Sequence, residues 1–371
     1  MPVPYKSENL ISHRNEFWIT RIVFQRALAF IYATAFLVAI QQFVPLLGSN
    51  GLLPVSLFLK RITFWQVPSI FWFNPSDSFL VAAAWVGLIL SLTALSGISE
   101  RFSGWISSFV WGLLWLLYLS FVNVGQTFYG FGWESILLEA GFLAIFLGSR
   151  KMHPPKIMIW LIRWILFRIM LGAGLIKIRA DECWRDLTCM MYHYETQPVP
   201  NPLSSFFHFL PAWFHKVEVL FTHFVELIVP WGYLLTRRIV LVCGIFTIIF
   251  HIALILSGNL SWLNYLTITL ALSCFDDQFL AKLFRLKIPE SFQISVVRKA
   301  MIWTLFTVML FLSVNPVINM ISPKQIMNAT FNPFHLVNAY GAFGGITRTR
   351  REIILEGTSD AELKPESEWK A

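Results

Sequence analysis

Residues 239–257 read IVLVCGIFTIIFHIALILS, a run of nineteen residues that contains no Lys, Arg, Asp or Glu. About twenty apolar residues in a helix are enough to cross the hydrocarbon core of a bilayer. Similar runs recur along the chain of 371 residues, of which 56% are hydrophobic and only 13% are charged. Because about 25% of the residues of a soluble domain are charged, the composition excludes a disordered chain, a secreted disulfide scaffold and an ordinary cytosolic enzyme.

The apolar runs predict an all-α polytopic membrane protein with about nine transmembrane helices. They are long and continuous, whereas a transmembrane β-barrel would show alternating segments of about ten residues. The first run starts too late and extends too far to be the apolar region of a cleavable signal peptide. The eighth run is short, and a re-entrant segment is its alternative. The predicted spans are 27–47, 78–98, 105–124, 131–148, 157–178, 217–235, 239–257, 260–275 and 299–319.

Basic residues predict the orientation of these spans. With residues 1–26 in the cytosol, the cytosolic segments hold 15 Lys and Arg, and the opposite loops before the C-terminal tail hold six. Cytoplasmic loops of membrane proteins carry such an excess, which also accounts for the net charge of +8 without a nucleic-acid partner. The transmembrane core then covers 27–319, and its longest loop, 179–216, is extracytoplasmic. Residues 320–371 form an extracytoplasmic tail, in which the strand-like run 351–357 predicts some β structure.

Titratable residues inside the spans are costly to insert and are numerous here. One interpretation is that opposite charges on neighbouring helices pair and stabilise the bundle. A second is a buried polar cavity in which a desolvated Lys177 acts as a base, with Glu134, Glu139 or His223 as its partners. A third is that Lys177 extends its ammonium group to the membrane interface. The residues concerned are Glu134, Glu139, Arg163, Arg168, Lys177, His223, Glu226 and His251.

The 179–216 loop combines two cysteines with a proline-rich stretch. Cys183 and Cys189 can form a disulfide in an oxidising compartment, with two free thiols as the alternative. Three prolines within 198–202 impose extended backbone, which suits either a rigid connector or a surface that binds a protein. The candidate client-binding residues are Trp184, Arg185, Asp186, Tyr192, His193, Tyr194, Glu195 and Gln197.

Sequence motifs for a metal, a nucleotide or a hydrolytic nucleophile are absent. The chain contains no zinc-like Cys or His spacing, no Walker loop, no GxGxxG and no GxSxG, so neither a metal nor a cofactor is expected. Two glycosylation sequons are present, at Asn259 and Asn328, and both would face outward. Asn328 is the expected acceptor, because Asn259 lies at the edge of a predicted span, where a bulky transferase has little access.

Several segments of the core and its loop are specific enough to indicate a family. Residues 130–141 read GFGWESILLEAG, 171–179 read LGAGLIKIR, 183–189 read CWRDLTC and 192–198 read YHYETQP. Residues 332–341, NPFHLVNAYG, agree with them. Through these segments the chain resembles the lipase maturation factor family over nearly its whole length.

This resemblance implies a non-enzymatic membrane chaperone of the endoplasmic reticulum. Its partners would be the lipid bilayer and secreted homodimeric lipases such as lipoprotein lipase, which the family assists in folding and assembly, and a role in lumenal redox balance is also implied. In a bacterial host the same topology would place the chain in the plasma membrane. The family continues past 356–358 into a lumenal β-rich domain. The resemblance therefore leaves two interpretations of 320–371, the truncated start of that domain or the tail of a short relative.

A more distant similarity concerns residues 173–177, AGLIK. They resemble a stretch of the membrane core of the vitamin K-dependent carboxylase, which carries a catalytic lysine. This similarity implies an alternative function, an intramembrane enzyme that uses Lys177 as a base.

Overall fold

Helices account for the regular structure of the described part of the chain, and no strand forms there. A computed structural model supplies the coordinates. Apart from the helices, two isolated β-bridges join Thr330 to Asn338 and Gly357 to Lys370. The all-α class predicted from the sequence is therefore confirmed. The structure describes residues 16–150, 152, 154–284, 295–350, 353–354, 356–359, 365 and 368–370.

Ten helices form the frame of the described part of the molecule. In chain order they are α1 Trp18–Leu47, α2 Asp77–Ser96, α3 Gly104–Val124, α4 Gly132–Ala144, α5 Lys156–Ala180, α6 Ala212–His223, α7 Arg237–Ser257, α8 Leu263–Ala271, α9 Val296–Leu312 and α10 Val314–Ile321. Six segments are long and apolar enough to cross a membrane: α1, α2, α3, α5, α7, and α9 together with α10. The chain is thus a multi-pass membrane protein.

Shorter helical pieces connect these ten. Half of them lie in the 179–216 loop or between α1 and α2, where they fold the connections onto the bundle. They are Val55–Leu59, Glu182–Arg185, Met190–Thr196, Ser204–His208, Val229–Gly232 and Asp277–Phe284, the 3₁₀ turns Ile70–Trp72, Gln126–Tyr129 and Leu272–Cys274, and the π-helical turn Phe224–Ile228.

The predicted count of nine transmembrane helices is not confirmed, because three of the predicted spans are shorter or interrupted. The span 131–148 contains α4, which has 13 residues, and 260–275 contains α8, which has nine. The span 217–235 is divided between α6, the π-helical turn and Val229–Gly232. The interruption coincides with Pro230, which lacks the N–H that a continuous helix would use.

Helix α5 lies at the centre of the bundle. Its most apolar stretch is 83% buried by the rest of the protein, whereas the other five long segments are 28–50% buried. It packs against α4, α8, α9 and the π-helical turn. Two glycines near its end permit close approach: a Cβ on Gly172 would lie 2.3 Å from the Tyr340 carbonyl oxygen, and one on Gly174 would lie 2.7 Å from Leu227.

The ends of the helices fall into two groups, one at each end of the bundle. At the end predicted to be cytosolic, the Asp277 carboxylate accepts hydrogen bonds from the backbone N–H groups of Trp18 and Ile19 at 2.7 Å. Arg26 pairs with Glu100 at the same end. At the other end, which we call the loop end, the 179–216 loop packs against α5, α6 and α7.

The segment 322–350 returns from α10 across the loop end. The Gln325 side chain donates a hydrogen bond of 2.8 Å to the Gly172 carbonyl, and Arg179 donates one of 2.9 Å to the Gln325 side chain. The partly β tail expected from the sequence is not seen: the described residues of 351–357 form no strand and contribute only the bridge at Gly357. Residues 351, 352 and 355 lie outside the described residues.

Candidate functional site

A buried ion pair lies at the loop end of α5. The Lys177 Nζ atom is 2.5 and 2.6 Å from the two carboxylate oxygens of Glu226, and the two side chains are only 4% and 5% exposed. The same ammonium group lies 5.3 Å from the centre of the Trp184 ring. Lys177 therefore does not extend to the membrane interface, and the interpretation that opposite charges on neighbouring elements pair is confirmed at this position.

The other residues considered as partners of Lys177 bind elsewhere. Glu134 accepts a hydrogen bond from the Tyr118 hydroxyl, and Glu139 pairs with Arg168 and accepts a 2.7 Å hydrogen bond from Tyr340. The Nε2 atom of His223 lies 2.9 Å from the Trp184 carbonyl oxygen. The sequence identified Glu226 as a titratable residue of a predicted span, but it did not identify Glu226 as the partner of Lys177.

The central arginines also find buried partners. Arg168 donates a 2.5 Å hydrogen bond to the Asn338 carbonyl in addition to its pair with Glu139. Arg163 donates bonds of 2.8 and 3.0 Å to the carbonyl of Ser273, not to an acidic side chain. These contacts join α4 and α5 to the 322–350 segment and to the end of α8, so they stabilise the scaffold around the ion pair.

A cavity of about 240 Å³ borders the ion pair. Its walls come from the loop ends of α4, α5, α7 and α8, from Thr222 and Glu226 at the end of α6 and in the π-helical turn, from the 179–216 loop and from the segment 327–343. Most of the lining side chains are apolar; the polar ones include Lys177, Glu226, His193, His251 and Asn264. The sequence analysis did not predict this cavity, because its walls come from parts of the chain that are far apart in sequence.

His193 of the 179–216 loop and His251 of α7 both line this cavity. Burial lowers the pKa of His193 to about 4, and the charge of Lys177 acts in the same direction, so the imidazole is neutral at pH 7. The Nδ1 atom of His251 lies 3.0 Å from the Asn264 side-chain oxygen, and its Nε2 atom lies 3.4 Å from the sulfur of Met170.

The 179–216 loop has a small hydrophobic core of its own. Cys183 and Cys189 form the expected disulfide, with their Cα atoms 4.7 Å apart. Around it pack Trp184, Met190 and Tyr194, together with Val219 and Ile346 from neighbouring segments. The loop is therefore a folded unit held on the bundle.

This core changes the expected roles of three candidate client-binding residues. Trp184 is 3% exposed and its indole N–H donates to the Phe343 carbonyl at 2.8 Å. Tyr194 is buried and its hydroxyl donates to Glu218 at 2.7 Å, and the Gln197 amide donates to the Ser257 carbonyl at 3.1 Å. As folded, these side chains stabilise the loop and offer little surface to a partner.

The remaining candidates are more accessible. Arg185, Asp186 and Glu195 are exposed, and Tyr192 and His193 are half-buried.

The first short helix of the loop, Glu182–Arg185, begins directly after Asp181. The Asp181 carboxylate accepts hydrogen bonds from the N–H groups of Cys183 and Ile346. The Cys183 bond is the main reason why the pKa of Asp181 is lowered.

An apolar surface in the same loop was not singled out from the sequence. Phe206, Phe209 and Trp213 are 63%, 83% and 66% exposed. Their spacing of three and four residues, which places apolar side chains on one side of a helical segment, was the available signal. Aromatic side chains of this kind are common at membrane interfaces.

Comparison with known proteins agrees with this architecture. Residues 19–282 match the family described as "Lipase maturation factor transmembrane domain". The chain is also 46% identical to "Lipase maturation factor 1" of Bos taurus over 395 residues, which cover 95% of this chain and 69% of the relative. The chain belongs to the lipase maturation factor family.

Other members of the lipase maturation factor family show the same relation. "Lipase maturation factor 1" of Homo sapiens is 45% identical over 96% of this chain and 69% of its own length. "Lipase maturation factor 2" of Xenopus tropicalis is 36% identical over 73% of this chain and 41% of its own length. No solved structure matches the chain. The matched family domain contains the Lys177–Glu226 pair, the disulfide and most walls of the cavity.

Proposed function

We propose that this chain is a maturation factor of the endoplasmic reticulum membrane that assists the folding and assembly of secreted homodimeric lipases. The observation that carries the proposal is the 46% identity, over 95% of the chain, to a protein named lipase maturation factor 1. The loop end faces the lumen in this proposal. Its Cys183–Cys189 disulfide supports that orientation, because disulfides persist in oxidising compartments.

The chain acts by contact with its client. Arg185, Asp186 and Glu195 are the exposed polar residues of the predicted contact surface, and Tyr192 contributes its accessible part. The side chains of Asp181 and Gln197 hold this surface on the rest of the protein: Asp181 accepts a hydrogen bond from the Ile346 N–H, and Gln197 donates one to the Ser257 carbonyl. A contact role is favoured over base chemistry, since the Lys177 amine is bound to both oxygens of Glu226.

The test is complementation of lipase secretion. Cells that lack their endogenous factor would express a lipase with or without this chain, and secreted lipase activity and dimer content would be measured. We expect both to rise with the chain present. Unchanged activity and dimer content, with the chain correctly inserted at normal levels, would contradict the proposal.

A surface variant makes this test specific to the contact surface. Combined Arg185→Ala and Asp186→Ala substitutions remove two exposed side chains and one hydrogen bond, from Arg185 to the Ile178 carbonyl, and leave the disulfide core of the loop intact. We therefore expect near-normal protein levels and reduced lipase secretion. The matched control is Arg238→Ala, which removes an exposed basic side chain at the opposite end. Equal secretion by the two variants would assign client binding to another surface.

Asn328 is proposed as the glycosylation site in such a cell. Its side chain is exposed at the rim of the cavity. Asn259 is also exposed, but it directly follows the end of α7, where the membrane surface restricts access. A glycan on Asn328 and none on Asn259 is therefore proposed.

A further inference from the structure

The cavity at the loop end has the walls of a binding site for an apolar molecule. Near its floor are Ile169 and Met170 of α5 and Phe250 and Leu254 of α7. At its rim, Phe131 and Met327 are 47% and 44% exposed, which makes the interior accessible from outside. Ligand pockets are typically concave and mostly apolar, with a few polar groups that orient the ligand.

The charges in the cavity balance. Among the described lining residues, Lys177 and Glu226 are the ones with a full charge at pH 7. The Lys177 Nζ atom lies 2.5 and 2.6 Å from the two Glu226 carboxylate oxygens, so the two charges neutralise each other. A charged ligand would have to leave water and also compete for one member of this buried pair, which is costly. The electrostatics therefore favour a ligand without any ionised group.

Two polar groups on the walls have hydrogen-bonding capacity to spare. The His193 imidazole contacts the rings of Tyr194 and Phe343 but forms no hydrogen bond with another described residue. The Asn264 side-chain oxygen is bound to His251, and its NH₂ group has no partner among the described residues. Asn264 is buried, and buried polar groups are normally hydrogen-bonded, whereas the half-buried His193 imidazole is accessible. Both groups can bind a hydroxyl or an ester group.

The volume limits the size of the ligand. An engineered apolar cavity of about 150 Å³ binds benzene, so a volume of about 240 Å³ has room for a longer group, on the order of eight to ten carbon atoms. The cavity lies where the loop ends of four helices meet, next to the predicted boundary between bilayer and lumen. A lipid can supply a chain of that length at this depth.

We propose that this cavity binds one acyl chain of a neutral single-chain lipid, a monoacylglycerol, with its ester and hydroxyl groups near His193 and Asn264. The chain would lie against Met170, Phe250 and Leu254. This site is additional to the proposed maturation function. Its occupancy is measured on the purified protein, so its failure would leave the lipase complementation result unaffected.

Photolabelling tests the proposal on the full chain in phosphatidylcholine nanodiscs. The probe is a monoacylglycerol with a diazirine in its acyl chain, and labelled peptides are identified by mass spectrometry. We expect labelling of α5 and α7 around Met170 and Leu254, reduced at least about fivefold by excess unlabelled monoacylglycerol. Excess fatty acid, which is anionic, or lysophosphatidylcholine should compete at least about fivefold less well.

Cavity-filling variants locate the binding. Ala173→Phe adds a ring to a lining position and should lower specific labelling about tenfold or more. Gly112→Phe is the matched control on α3, because a Cβ there has no atom within 4 Å. Thr267→Leu is a smaller second filling variant, used if Ala173→Phe does not elute as a monodisperse protein.

Several outcomes would overturn the proposal. The first is wild-type labelling that excess unlabelled monoacylglycerol does not reduce. The second is competition by fatty acid or lysophosphatidylcholine that equals competition by monoacylglycerol. The third is unchanged labelling in a cavity-filling variant that is folded. Labelling that is lost equally in Gly112→Phe would also overturn it, because that change leaves the cavity intact.

Discussion

At the scale of single residues, the Lys177–Glu226 pair is where a substitution has the clearest consequence. Lys177→Met leaves the Glu226 carboxylate buried without its cation. Removal of one partner from a buried pair destabilises a protein by about 3–5 kcal/mol, so we expect much less folded protein in detergent extracts. Lys177→Arg keeps the charge, and the adjoining cavity gives the larger group room, so folding and lipase maturation should stay near wild-type levels.

The double variant Lys177→Met with Glu226→Met is the control for this prediction. It removes both charges, and replacement of a buried pair by apolar groups is often neutral or stabilising. Recovery of folded protein in the double variant supports a structural role for the pair. A well-folded Lys177→Arg protein without maturation activity would instead support proton transfer by Lys177.

The second prediction at this scale concerns the loop disulfide. Closure of a ring of this length removes unfolded-state freedom that corresponds to about 2–3 kcal/mol. Mass spectrometry of unreduced protein should show the linked Cys183–Cys189 peptide. A variant with both cysteines changed to serine should expose the loop to protease at lower temperature, while Cys243→Ser, at a buried free cysteine, serves as the control. Quantitative alkylation of Cys183 and Cys189 in membranes would contradict the prediction.

At the scale of elements, the helix Met190–Thr196 couples loop stability to pH through His193. The folded pKa, about 4, lies below the ordinary value of 6.5, and burial is the main cause. Between these values the unfolded chain binds a proton that the folded chain does not, so stability falls as the pH falls from 6.5 towards 4. Melting temperatures in detergent should decrease over this range, and less so for His193→Gln.

Other histidines also contribute to the pH dependence of the melting temperature. His335, in the 322–350 segment, also has a pKa lowered to about 4 by burial, so part of the decrease should remain in His193→Gln. The difference between the two proteins at pH 5 isolates the contribution of His193. Identical pH dependence in both would mean that His193 is free to protonate in the folded loop.

The helices also show how much of the fold could be predicted from the sequence alone. Hydropathy predicted the long segments α1, α2, α3, α5, α7 and α9–α10, because a continuous apolar run has few other structures available in a membrane. Hydropathy did not predict the π-helical turn that interrupts the span 217–235. The turn depends on tertiary contacts, among them the ion pair between Glu226 and Lys177. Composition likewise predicted that Trp184 and Tyr194 contact a client at the surface, but both are buried in the structure. Whether an aromatic side chain is covered depends on neighbours that are distant in sequence.

At the scale of the whole molecule, the helix ends separate into two layers of contacts. Trp133, Lys177, Ser257 and Leu263 lie near the extracytoplasmic ends of four predicted spans, and all four line the same cavity. The positions predicted to be inside contact one another at the opposite end, where Arg26 pairs with Glu100. The count of basic residues and the packing of the helices therefore agree on which ends lie together.

The topology predicted from this arrangement can be tested with two engineered cysteines. Ser205 is exposed in the 179–216 loop, and Thr236 is exposed at the start of α7 at the other end. In sealed microsomes, whose outer surface is cytosolic, a membrane-impermeant maleimide should label Thr236→Cys at once and Ser205→Cys only after permeabilisation. The native background is low, because Cys243 and Cys274 are buried and Cys183 and Cys189 are bridged. Labelling of Ser205→Cys in intact microsomes would place the loop, the disulfide and the cavity rim in the cytosol, and a lumenal client could then not reach them.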